Sequence, residues 1–318
     1  MRRPLLVALL LFLAAPSGNA GVLGDGAWRP LGTLATVPVV AVVGDIACDP
    51  SSSRYGNGLG TKGACRQKDT SDLLLDRSVF PTLHAVLTVG DNQYENGTLV
   101  AYVASYEPSW GRVKAKTYPT PGNHEYGTAD AAGYYEYYGA AAGDPSRGYY
   151  SFDLGRWHLI ALNSNCDEIG GCGRRSPQAK WLRADLAASS ARCTLAYWHH
   201  PRFSSGPHGS STAYRELWRA LYAAGADVVV AGHDHDYERF APQNADGVAD
   251  TARGIREFVV GTGGKSLYPF ARRAANSEAR SSTTFGVLKL TLRAKGYDWR
   301  FVPVAGGDFT DSGSASCH

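Results

Sequence analysis

The chain has 318 residues, 44% of them hydrophobic, and a formal net charge of +3. That length allows a large buried core, and the near-balance of charge excludes general electrostatic capture of nucleic acid or an anionic membrane. Recognition of any anionic ligand must therefore come from a local site.

Arg2 and Arg3 precede an apolar run over 5–15 and then the small residues Gly18-Asn19-Ala20. Positive, apolar, small is the order of a cleaved secretory leader. The run is shorter than the ~20 residues that cross a bilayer, and no Cys follows for a lipid anchor. Residues 1–20 are expected to be removed on export to an extracellular or periplasmic space. This leaves 30 basic against 29 acidic residues, with 21–36 as a lead-in. The six cysteines form an even set, which in an exported chain favours disulfides over metal thiolates. Of the connectivities open to six, the preferred set is Cys48–Cys65, Cys166–Cys172 and Cys193–Cys317. The first two close Gly-rich loops and the third tethers the C-terminus.

Residues 37–43 (VPVVAVV) are a continuous apolar, β-branched run ending in Gly44-Asp45, the pattern of a strand buried on both faces. A Ser/Gly-rich loop over 51–64 leads to a short helix over 69–77. Residues 84–89 (HAVLTV) are a second buried strand, ending in Gly90-Asp91. The stretch 98–106 reads as helical, and 116–120 leads into Pro121-Gly122-Asn123-His124-Glu125. Residues 130–148, rich in Tyr, Ala and Gly, suggest a helix and then a loop. Strands over 149–154 and 157–163 flank Gly155-Arg156 as a hairpin. Ser176 and Pro177 mark the start of a helix running to 188. A strand over 193–198 enters His199-His200-Pro201, a helix follows over 212–224, and 227–231 (DVVVA) is a strand ending in Gly232-His233-Asp234-His235. Further strands are expected over 255–260 and 285–304, the latter a hairpin turning near Lys295-Gly296. Strand and helix alternate over the first two-thirds and strand dominates the last third, so one α/β domain with an added antiparallel portion is predicted, with 305–318 as a tail.

Five of these strand-like segments end in Asp, Asn or His. In an open α/β sheet ligand sites form beyond the carboxyl ends of the strands, and a gathering of Asp, Asn and His is a metal-ligand set. A lone Gly-Asp after a strand is more often a turn; five such ends together point to one site.

The ordered set GDIA (44–47), GDNQY (90–94), GNHE (122–125), HHP (199–201) and GHDHDYER (232–239) resembles the calcineurin-like metallophosphoesterases. Within them it is most similar to the purple acid phosphatases, over about residues 37–304. The resemblance implies a catalytic domain built as an α/β/β/α sandwich of two mixed sheets flanked by helices. Many members carry a metal-binding His where this chain has Ala47. The purple branch lacks it too and uses a Tyr three residues after the second-motif Asp, here Tyr94. By the same resemblance Asp45, Tyr94 and His235 bind a first metal, expected to be Fe(III). Asn123, His199 and His233 bind a second, Fe, Zn or Mn, and Asp91 bridges the two. His124 and His208 would face the substrate.

The implied activity is hydrolysis of phosphate monoesters by in-line attack of a metal-bound hydroxide, with His124 or His208 protonating the leaving alkoxide. A phosphodiesterase using the same site is the alternative enzyme, and an inactive secreted binding protein on the same fold is the alternative of another class. The expected partner is a small phosphate ester, with no nucleic acid and no membrane, and the chain is a monomer or homodimer. Residues 261–266 (GTGGKS) end like a phosphate-binding loop, but Val259 stands where that motif needs Gly, so a turn near the site is expected. His84 and His158 read as structural. Tyr134, Tyr135, Tyr137 and Tyr138 either line a groove or pack on the sheet, and Arg202 and Arg239 either touch substrate or anchor loops.

Overall fold

In this computed structural model, which describes residues 37–318, the apolar runs become strands wherever burial on both faces rewards them. The strands are β1 (Val39–Val43), β2 (Ala85–Val89), β3 (Thr117–Thr120), β4 (Tyr150–Leu154), β5 (Trp157–Ala161), β6 (Cys193–Tyr197), β7 (Val228–Ala231), β8 (Tyr237–Phe240), β9 (Arg256–Val260), β10 (Ser277–Ser281), β11 (Gly286–Arg293), β12 (Gly296–Pro303) and β13 (Ser312–Ser316). The α-helices are α1 (Gln67–Leu75), α2 (Leu99–Ala101), α3 (Ala132–Tyr138), α4 (Pro177–Ala188) and α5 (Arg215–Ala223). The expected leader and lead-in lie outside the described residues. Among the described residues no helix is long and apolar enough to cross a membrane.

The strands form two mixed sheets, in the orders β13-β12-β11-β1-β2-β3 and β10-β8-β9-β7-β6-β5-β4. In the first, β1, β2 and β3 are parallel; in the second, β5, β6, β7 and β9 are parallel. Period-two alternation divides each strand between two cores. Val228 and Val230 join β1 and β2 in the core between the sheets, while Val229 and Ala196 face α4 and α5 through Leu182, Leu217, Trp218 and Leu221. The result is the two-sheet sandwich with helices on its outer faces that was expected. At the start of α4 Ser176 Oγ accepts from Ala179 N–H and Pro177 occupies the first turn, an arrangement that satisfies one orphan donor and needs no N–H from proline.

Three strands escaped the sequence patterns: β8, β10 and β13. The segment 305–318, expected as a tail, carries β13, whose five residues pair antiparallel with β12. Its sequence, SGSAS, has no β-branched residues; pairing to the edge of β12, with Cys317 fixed by its disulfide just beyond, makes it a strand. The helix expected over 98–106 starts at its Thr98 cap but widens into a π-turn over Tyr102–Tyr106. The disulfides are Cys48–Cys65, Cys166–Cys172 and Cys193–Cys317. The last ties the first residue of β6 to the chain end across 124 residues. Closing so long a loop removes much disorder from the unfolded chain, so Cys317→Ser is expected to cost about 2–5 kcal/mol. Urea unfolding of the variant beside the oxidised parent measures this, and an unchanged midpoint would refute it.

Candidate metal centre

The parallel strands of both sheets deliver their carboxyl ends to one edge. A backbone bond from Gly44 N–H to Val260 O at 2.9 Å joins the two sheets there, and one from Gly232 N–H to His199 O at 2.8 Å joins two strand ends of the second sheet. Three residues at this edge hold left-handed backbone, Asp45 (φ 61°), Asp91 (φ 48°) and His233 (φ 69°). Such conformations cost non-glycine residues energy and persist where the surroundings impose them. Gly90 and Gly122 leave the space this packing needs. A Cβ on Gly90 (φ +85°) would stand 2.6 Å from His199 Nδ1, and one on Gly122 would overlap the Asp91 carboxylate.

The side chains at this edge form two groups that share one atom. In the first, Tyr94 Oη lies 2.9 Å from Asp45 Oδ1, 3.0 Å from Asp91 Oδ2 and 3.0 Å from His235 Nε2, and His235 Nε2 lies 3.2 Å from Asp45 Oδ1. In the second, His199 Nε2 lies 3.1 Å from Asn123 Oδ1, 3.2 Å from His233 Nδ1 and 3.2 Å from Asp91 Oδ2. Asp91 Oδ2 is common to both. All seven side chains expected as ligands converge on this edge, with Asp91 Oδ2 between the two groups.

The rings are aimed from behind. His199 Nδ1–H donates to Val89 O at 2.9 Å, which turns Nε2 toward the cluster; His235 Nδ1 meets Ser266 Oγ at 3.0 Å. Partners of this kind hold a ring in its ligating orientation. Asp45 and Asp91 are buried, and their ion-pair partners are imidazoles rather than Lys or Arg. Burial works against the Asp91 charge, yet His199 and His124 hold its carboxyl far below the usual range. The same Asp91 charge lifts His199 to about 9 against the pull of burial. Burial, then the Asp45 and Asp91 charges, push the Tyr94 phenol well above its usual value. Two buried carboxylates, an amide oxygen, a phenol and three imidazoles fit a pair of cations. The phenol would ionise there only against a strong Lewis acid, and the protons displaced make binding pH-dependent.

The other expected residues sit around this cluster. The His124 ring stands 4.2 Å from the Tyr94 ring, its Nδ1–H donates to Glu95 O, and its Nε2 is 3.8 Å from Asp91 Oδ2. His208 is outside the cluster, with its ring 4.2 Å from that of His233 and its side chain 46% exposed. Asp234 braces it, accepting from His208 N–H at 3.0 Å and meeting His208 Nδ1 at 2.9 Å. The turn over 261–266 lies at the site, donating Gly263 N–H to Gly44 O and Lys265 N–H to Asp45 O. The four tyrosines 134, 135, 137 and 138 are buried in the core with Tyr102 and Tyr106. Arg202 donates to Ala245 O and Arg239 to Asp311, so both anchor loops. His84 Nδ1 accepts from Val39 N–H, and His158 bridges Asp153 and Asp185.

Three further side chains shape the site: Glu125, His200 and Asp234. Glu125 is buried and accepts from Asp91 N–H, Asn92 N–H, Gln93 N–H, Gly122 N–H and Tyr102 Oη–H, so it clamps the second motif loop to the third. Burial and the Asp91 charge push its carboxyl up to about 7, while every partner it has is a donor. His200 packs on His233 and bonds Ser164 Oγ, placing a third imidazole beside His199 and His233. Asp234 is the third. Asp234 and Glu125 stand inside the motifs GHDH and GNHE, directly beside residues expected at the site.

A two-sheet sandwich with this donor set on its shared carboxyl edge is a metallophosphoesterase fold. Residues 38–237 match the calcineurin-like phosphoesterase family, and the chain belongs to it. Among curated proteins, purple acid phosphatase 18 of Arabidopsis thaliana is 34% identical over 129 residues, 39% of this chain and 28% of that protein. Purple acid phosphatase 21 of the same plant is 33% identical over 167 residues, 45% of this chain and 37% of that protein. The alignments thus span roughly a third of the length of these relatives. Among solved structures, a purple acid phosphatase from yellow lupin (Lupinus luteus) seeds superposes with a TM-score of 0.73 at 18% identity, over 91% of this chain and 55% of that one. GAP50 of Plasmodium, described as the anchor in the inner membrane complex, superposes with a TM-score of 0.63 at 15% identity, over 88% and 89%.

Proposed function

We propose that the chain is an exported phosphomonoester hydrolase that works with two metal ions. The observation that carries this reading is the sharing of Asp91 Oδ2 between the phenol of Tyr94 and the imidazole of His199, each within about 3 Å. Asp45, Tyr94 and His235 would hold one cation, and Fe(III) suits it because a phenolate is a hard anionic donor. Asn123, His199 and His233 would hold Fe, Zn or Mn. Bound there, the two cations would screen the negative charge of the ester and acidify the attacking water.

The protein's own groups supply the rest. His124, with Nδ1–H given to Glu95 O, turns Nε2 toward the Asp91 side of the cluster, where it can meet a phosphoryl oxygen. In its protonated form it can pass a proton to the departing alkoxide. His208, braced by Asp234, offers a second donor from the His233 side. One ester and one water yield one alcohol and one inorganic phosphate. No serine or cysteine nucleophile is needed. The three disulfides support export, since such bonds persist in oxidising compartments.

Aerobic purification with metal analysis and a two-substrate assay tests the reading. p-Nitrophenyl phosphate is expected to be cleaved at least about tenfold more efficiently than bis-p-nitrophenyl phosphate; the reverse order would make the chain a diesterase. The non-catalytic alternative would be established by an absence of both transition metal and turnover. An absorption band in the visible, lost in Tyr94→Phe, is the expected mark of an iron–phenolate. A colourless, metallated and active enzyme would remove iron–phenolate while leaving hydrolysis in place.

A further inference from the structure

Lys265 lies in the 261–266 turn and is built into the site through its backbone. Its N–H donates to Asp45 O at 3.0 Å, and its carbonyl accepts from Cys65 N–H at 3.2 Å. From that anchor the side chain crosses the face of Tyr94, with Nζ 4.4 Å from the ring centroid, and ends in an ion pair with Glu95. The Lys265 side chain is 18% exposed and that of Glu95 52%, while Tyr94 itself is buried. Among the described residues neither Asp45 nor Asp91 has a Lys or Arg as an ion-pair partner, and this ammonium lies over the phenol ring while its charge is met by Glu95 and, through space, by Asp91.

We propose that Lys265 is a positioning residue that governs how strongly the Tyr94 phenolate donates to the first metal, by holding a positive charge over the ring. The inference rests on the iron–phenolate reading above. A cation on the face of an aromatic ring stabilises the ring's π electrons. A phenolate carries part of its negative charge in that ring, so the attraction strengthens on ionisation, and in a half-buried site it is only partly screened. Donation to Fe(III) draws electron density out of the ring and away from the ammonium. Lys265 therefore opposes donation, raises the energy of the phenolate-to-iron transition and leaves the ferric ion the stronger Lewis acid. Glu95, the next residue after Tyr94, holds the carboxylate that partly offsets the ammonium. The pair is a dipole whose two ends push the transition in opposite directions.

The visible spectrum of the full chain loaded with Fe(III) tests this in four forms: the parent, Lys265→Met, Lys265→Arg and Glu95→Gln. Removing the cation in Lys265→Met is expected to move the band to longer wavelength by on the order of tens of nanometres. Removing its counter-charge in Glu95→Gln should move it to shorter wavelength, and Lys265→Arg should return it to the parent position. Mere loosening of the site would lower iron content and intensity in both neutral variants without opposite shifts. Bands at the parent wavelength in both variants at full iron content, or shifts in the same direction, overturn the proposal. Should Lys265→Met fail to hold iron, the direction of the Glu95→Gln shift decides, since that side chain is half exposed. A colourless parent with stoichiometric iron is a different result: it removes the iron–phenolate reading on which the inference stands.

Discussion

Asp91→Asn is expected to keep the fold and lose turnover by on the order of 10³-fold or more. Asp91 Oδ2 is the atom that Tyr94 Oη and His199 Nε2 share, at 3.0 and 3.2 Å. An asparagine fills the same volume, so packing beneath Gly122 is retained. It carries no charge, however, and its amide presents either a neutral oxygen or an N–H to that position. With the oxygen inward, one of the two carboxylate charges that would hold the cations together is gone; with the nitrogen inward, a donor faces them. The variant should bind fewer than two metals per chain, which metal analysis after dialysis reads directly, and p-nitrophenyl phosphate hydrolysis should fall with it. Circular dichroism like that of the parent separates this from unfolding. A variant that kept two metals and more than about a tenth of the activity would contradict a shared carboxylate at the centre of the site.

The second large effect is expected at Glu125, which touches none of the seven metal candidates through its own side chain except by accepting the backbone N–H of Asp91. Oε2 accepts from Asp91 N–H at 2.9 Å and Gly122 N–H at 2.6 Å; Oε1 accepts from Asn92 N–H at 2.9 Å, Gln93 N–H at 3.2 Å and Tyr102 Oη–H at 3.1 Å. In Glu125→Gln either orientation of the amide points an NH2 at two or more donors, so no flip satisfies the cradle. In Glu125→Ala the donors are left buried and unpaired, each at about 1–3 kcal/mol before relaxation. We expect Glu125→Ala to lose about 3 kcal/mol or more of stability. Glu125→Gln should keep the fold but weaken metal binding on the order of 10–100-fold, as removal of a ligand's supporting partner does elsewhere. Because Asp91 and Asn123 remain in place, excess metal should restore much of the Glu125→Gln activity and none of the Asp91→Asn activity. A Glu125→Gln protein with parental metal affinity would show that the clamp holds loops and does not position the site.

The strands β1, β2 and β7 were legible because burial on both faces demands a mostly apolar run, and 39–43, 85–89 and 228–231 have one. The ends of those runs were legible for the complementary reason: Asp, Asn and His directly after a buried strand have no apolar partner to satisfy and must face the edge. β13 was not, since Ser-Gly-Ser-Ala-Ser becomes a strand through pairing to the edge of β12, with Cys317 fixed just beyond. Nor was the fate of the tyrosines 134–138, where period and composition suit a groove and a core alike; the choice fell to the ring packing with Tyr102 and Tyr106.

Which residues could form buried strands, and the order of their polar ends, could be read along the chain, because periodicity and local chemistry act between neighbours. That strand ends from two sheets meet, that Asp91 stands between two donor groups, that Glu125 grips two loops and that Lys265 lies over Tyr94 follow from the packing of the folded chain. Those are contacts between residues 30 to 190 positions apart, and their geometry is set by how two twisted sheets pack on each other, which no local pattern encodes.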